Sequence, residues 1–151
     1  MDRDKEVIIW NSEETGHIAI TIVAQGCPLS DEEIIAKDVP TKNFKVIKRT
    51  EIDKLDQRFV PNAFICDENM NPVVDLKKAK EVWRDRIRIK RVPVLQALDV
   101  EYLKASEKNE DTSEITEKKQ QLRDLPQSSG IDKAKSIEDL TKVWHNLLGE
   151  K

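Results

Sequence analysis

Hydrophobic positions change their period once along this chain, near Val74. Before it they come in short runs. "EVIIW" (6–10) and "HIAITIVA" (17–24) are rich in β-branched residues, and "NSEETG" between them supplies turn residues, so 6–24 reads as a hairpin. "LSDEEIIAKDVP" (29–40) predicts a short helix. Ser30 is its N-cap, Glu33 completes a capping box, and Asp31 and Glu32 suit the positive end of the helix dipole. Pro40 stops it. "FKVIK" (44–48) alternates apolar and charged residues, as a half-buried strand does. "FICDENMNPVVDL" (64–76) offers two further strands around a "DENMNP" turn. Residues 1–74 are therefore expected to form a small β-rich unit of four or five short strands and one short helix.

After Val74 the period becomes helical. With Leu76 at zero on a wheel of about 100° per residue, Ala79, Trp83, Ile87, Val94, Leu98 and Ala105 return near that direction, with one gap at Lys90. The stripe continues past Pro93, which lacks an amide proton and crowds the preceding turn. A kinked helix over 75–107, capped by Asp75, is predicted. "RIRI" (86–89) alternates as a strand would, but four residues weigh less than the longer stripe. "KNEDTS" is a loop, and "SEITEKKQQLRDL" predicts a helix over 112–125, ended by Pro126. "PQSSG" (126–130) reads as a linker-like turn. "SIEDLTKVWHNLLG" predicts a closing helix over 136–149, with Ser136 as N-cap, Asp139 at the box position and Gly149 as C-cap. Its Ile137, Leu140, Trp144, Leu147 and Leu148 share one face. The fold class is thus α+β: the N-terminal unit 1–74, then a mainly α-helical half 75–151 whose short loops favour antiparallel pairs.

Charge adds a local feature to this outline. Net charge is −3, yet 1–74 holds 9 Lys/Arg against 14 Asp/Glu and 75–151 holds 17 against 15. An acidic whole argues against a general nucleic-acid binder but not against a local patch. Lys77, Lys80, Arg84, Arg88 and Arg91 recur at three and four, a basic ridge beside the apolar stripe. Such a ridge can track phosphates or clamp carboxylates. Glu81 and Asp85 lie close enough to offer ordinary surface pairs instead. Trp83 sits on the apolar stripe, away from any base-stacking role. Pairing within the chain or with solvent is the leading expectation, an acidic protein partner the second, nucleic acid the third. The candidate partner-binding residues are Lys77, Lys80, Arg84, Arg88 and Arg91, with Trp144.

Candidate chemistry is sparse. His17 and His145 make no metal pair. Cys27 and Cys66 form no CxxC and are expected to be free thiols in a reducing cytosol. A nucleophile–base pairing of either with a distant histidine has no local support. The four glycines are isolated, so no phosphate loop is present. "DENMN" (67–71) resembles a calcium loop in outline but lacks the central Gly and the closing Glu. No catalytic, cofactor or metal residues are predicted, and an enzyme is not expected. No apolar run approaches the roughly 20 residues of a membrane helix, and the charged start "MDRDKEVIIW" shows no signal-peptide core. A soluble cytoplasmic protein is expected.

Five stretches together carry a resemblance: "IIAKDVP" (34–40), "FKVIKRTEI" (44–52), "DQRFVPNAF" (56–64), "VVDLKKAKEVWRDRIRIKRVPVLQALDVEYLKA" (73–105) and "KKQQLRDLP" (118–126). From about residue 30 onward the chain resembles small proteins of the tail and tail-fibre gene region of tailed bacteriophages and prophages. It departs where those proteins carry an "RxxRNAW"-like segment and this chain reads "RFVPNAF". The resemblance implies a non-enzymatic tail component or assembly chaperone. It implies other tail proteins or a second copy as partners, in the virion tail or the cytoplasm of an infected bacterium. It brings no catalytic residues. A small phage-encoded inhibitor of a host protein is the alternative, since acidic proteins often occupy sites built for nucleic acid. Nucleic-acid binding through 77–91 is the third reading.

Overall fold

In the computed structural model, which describes residues 1–150, the chain forms two units, Met1–Ala79 and Lys80–Lys151. The class is α+β: five strands in two small antiparallel sheets precede a mostly helical half.

The first unit is built on the predicted hairpin. Strand β1 (Glu6–Asn11) pairs antiparallel with β2 (Ile18–Thr21), Ile9 opposite Ile20. On its other side β1 pairs with β3 (Lys45–Lys48), Val7 opposite Ile47. β1 is central in its sheet, and Val7, Ile8, Ile9 and Trp10, which alternate between its two faces, are all buried, so both faces are covered. That is why "VIIW" is a continuous apolar run and not an alternating one. Helix α1 (Asp31–Asp38) has the expected capping box: the Ser30 hydroxyl accepts from the Glu33 amide and the Glu33 carboxylate accepts from the Ser30 amide. Helix α2 (Arg49–Asp53) is a single turn whose one buried residue, Ile52, leaves no stripe in the sequence.

Strands β4 (Phe64–Cys66) and β5 (Pro72–Val74) form the second hairpin. Its turn is organised by Asp67, whose carboxylate accepts from the backbone amides of Asn69 (2.9 Å) and Asn71 (2.8 Å). The Asn71 amide first, against partial desolvation, holds the Asp67 carboxyl below its usual range. That support is complete at neutral pH and is lost as pH falls through the lowered value. The two sheets are joined by a side chain. Asn11 donates its amide to the Cys66 carbonyl (2.9 Å) and accepts from the Cys66 amide (2.7 Å), acting as one residue of a ladder.

Helix α3 (Leu76–Glu107) starts where Asp75 caps it, accepting from the amides of Lys77 and Lys78. The Asp75 amide also donates to the Ala63 carbonyl (2.8 Å). This ties the first turn of α3 to the first unit, Met1–Ala79. The helix passes through Pro93 without a break. Pro93 and Ile89, whose carbonyl lost its donor to the proline, are both exposed, so water can satisfy that oxygen. Of the predicted stripe, Ala79, Trp83, Ile87, Leu98 and Ala105 are buried.

Helix α4 (Ser113–Asp124) agrees with the predicted 112–125 to within a residue at each end. The rest of the chain departs from expectation. "PQSSG" is no linker. It contributes to a 3₁₀ turn, Leu125–Gln127, and to helix α5 (Ser129–Lys133), whose cap Ser128 accepts from the Gly130 amide. The single helix expected over 136–149 is instead α6 (Ile137–Lys142) followed, after a break, by a 3₁₀ turn, Asn146–Leu148. Ser136 does cap α6, accepting from Asp139. The helix stops at Val143, which leaves helical geometry (φ −81°, ψ 87°) and whose carbonyl accepts from the Trp83 indole N–H (3.0 Å).

Asn11→Ala leaves a strand-end amide and carbonyl of Cys66 without partners. It should cost about 1–3 kcal/mol, read as a lower urea midpoint. Pro93→Ala restores a helix hydrogen bond at an exposed site. It should raise stability by about 1–3 kcal/mol, and a lower midpoint would show that Pro93 serves a packing role.

Candidate protein interface

The basic ridge nominated by the sequence runs along α3. Within the second unit α4 runs antiparallel to α3: Arg91 reaches the end of α4, while Asp99 and Tyr102 meet Lys119 earlier in it. Arg91 donates to the carbonyls of Leu122 (3.3 Å) and Arg123 (2.8 Å). The Leu122 carbonyl needs this donor, since the residue four further on is Pro126, with no amide proton. Arg84 donates to the Pro126 carbonyl (3.2 Å), bonds Glu81 (2.5 Å) and forms an ion pair with Asp132. Lys80 donates to the Asp132 carbonyl (2.6 Å). Cations on the carbonyl ends of helices are also favoured by the dipole.

Arg88 forms a surface pair with Asp85 (2.7 Å), and Lys77 is exposed in the first turn of α3. Trp144 lies half-buried with its ring 5.2 Å from that of Trp83, tilted by 44°, and donates to the Gly149 carbonyl (2.8 Å). Of the six candidate residues, four thus bond groups outside α3 within the second unit: Lys80, Arg84, Arg91 and Trp144.

Among the exposed positions of α3, four are large and apolar. Ile89 (72% exposed), Val92, Val100 and Leu103 (61%) are large hydrophobic side chains open to solvent. Their spacing of three, eight and three places them along one side of the helix, opposite the buried Ile87 and Leu98. Periodicity marks this row as clearly as the buried one. Only burial tells them apart.

The N-terminal unit holds a cleft of about 450 Å³ beside β2, lined by Ile18, Ile20, Ile22, Ile52, Val60 and Pro61, with His17, Arg49, Asp53 and Gln57 among its polar residues. Gln57 is held by the carbonyls of Ile52 and Leu55, and the His17 ring lies 3.1 Å from the Ile18 carbonyl. Cys27 and Cys66 are free thiols, and burial pushes the Cys66 thiol up, which disfavours the thiolate. Among the described residues no group of three or more His, Cys, Asp or Glu is placed to hold a metal ion. No helix among them is long and apolar enough to cross a membrane.

Comparison with family models, with curated proteins and with solved structures gives no match.

Removing the helix-end donors should separate the ridge into two classes. Arg84→Ala and Arg91→Ala each leave backbone carbonyls short of a charged donor and should cost about 1.5–3 kcal/mol. Arg88→Ala breaks only an exposed pair and should fall within about 0.5 kcal/mol of the parent. Equal effects of all three in thermal or urea unfolding would contradict this division.

Proposed function

We propose that this chain is a non-enzymatic bacteriophage tail protein with a structural or assembly role exerted through protein–protein contacts. The observation that carries the contact role is the row Ile89, Val92, Val100 and Leu103, exposed on one side of α3. A large apolar row on an otherwise charged chain is a surface that another protein covers. The resemblance of residues 30 onward to proteins of the tail gene region supplies the phage setting. It makes other tail proteins or a second copy of this chain the partners, in the virion tail or in the cytoplasm of the infected host during assembly.

The internal use of Lys80, Arg84 and Arg91 weighs against phosphate tracking by the ridge. A phosphate would have to compete with carbonyls already in place.

Mass spectrometry of purified tails should find the chain as a virion component. If it acts only during assembly, it should be missing from tails and co-purify with a tail precursor from infected cells. Ile89→Glu with Leu103→Glu should abolish either association while the far-UV spectrum is unchanged. Retention of a host protein, with no tail protein bound, would overturn the tail reading in favour of a host inhibitor.

A further inference from the structure

We propose that the outer side of α3 packs against the same side of a second copy of this chain, parallel and in register. This rests on reading that side as a protein-binding surface, and it names the occupant.

The helical wheel gives the face. At about 100° per residue, Ile89, Gln96, Val100 and Leu103 lie within about 40° of one line, flanked by Val92 and Pro93. The row is roughly 21 Å long at 1.5 Å per residue.

The charges decide which partner and which direction. One flank carries Asp85, Val92 and Asp99; the other carries Lys90, Ala97 and Lys104. In a parallel helix pair each flank faces the partner's opposite flank, and a residue meets one about five positions further on. Asp85 then meets the partner's Lys90, Val92 meets the partner's Ala97, and Asp99 meets the partner's Lys104. Two-fold symmetry makes each contact twice. An antiparallel pair centred on Gln96 would instead set Lys90 near the partner's Lys104, like against like.

Asp85 and Asp99 already bond Arg88 and Lys119 of their own chain, but their side chains are 65% and 56% exposed. A carboxylate has acceptor capacity for a second cation. Gln96, at the centre, faces the partner's Gln96. Paired side-chain amides donate and accept reciprocally, and a polar pair inside an apolar seam holds the register.

Sedimentation equilibrium of the full chain tests this directly. The parent should be a dimer. Ile89→Glu with Leu103→Glu should give a monomer with unchanged circular dichroism. Asp85→Lys alone and Lys90→Asp alone should each weaken the dimer by about tenfold, and the two together should restore it. Leu103→Cys should form an oxidised cross-linked dimer beyond any seen for the parent, because only the parallel arrangement brings the two positions together. A parent that stays monomeric to about 100 μM, a dimer indifferent to the two glutamates, or single charge changes that the pair fails to rescue would each overturn the proposal. If the parent is monomeric while the glutamate variant still loses its tail partner, self-pairing fails and the tail reading stands.

Discussion

Leu122 has no amide four residues below it, because that residue is Pro126. Among the described residues, α3 side chains donate to its carbonyl and to four others in the C-terminal half. Arg91 serves Leu122 and Arg123, Arg84 serves Pro126, Lys80 serves Asp132, and the Trp83 indole serves Val143. Short helices are poor in internal hydrogen bonds relative to their ends, and the ends of α4, α5 and α6 come within a few residues of one another in sequence. A long helix with donors repeated along one side meets that need in one stroke. These donors act beside the burial of Trp83, Ile87, Leu122, Ile131 and Leu140 in holding the C-terminal half together.

This use of the donors changes the meaning of the charge on α3. A row of Lys and Arg reads as an invitation to phosphate or to an acidic partner, yet most of it is turned to the protein's own backbone. The opposite side of the same helix carries Ile89, Val92, Val100 and Leu103 in water. Pro93 belongs to that outer side, where losing one helical hydrogen bond leaves only a solvated carbonyl. Helix α3 thus divides its work: polar and apolar anchoring on one side, an open apolar row on the other.

The N-terminal unit solves the same problem by other means. Its two sheets are small, and each leaves strand ends without ladder partners. Asn11 substitutes for a strand residue at Cys66, Asp67 gathers the amides of its own turn, and Ser30 with Glu33 closes the start of α1. Each uses a short polar side chain held at a fixed place in the backbone.

The elements that depend only on local chemistry were legible in the sequence. These are the hairpin 6–24, the capping box at Ser30, the strand at Lys45–Lys48, the Asp75 cap, and a helix that survives Pro93 because its apolar stripe does. The features settled by distant residues were not. "SIEDLTKVWHNLLG" has caps and an apolar face for one helix, and no local signal says that Val143 must leave it to accept from Trp83, 60 positions earlier. Nor does the spacing of Arg84 and Arg91 reveal that their partners are carbonyls of residues 122, 123 and 126. "NSEETG" marks a turn, but not the bond from Asn11 to Cys66. Periodicity reports which residues share a side of an element. Which side is covered, and where a buried donor finds its acceptor, is decided only when the elements pack.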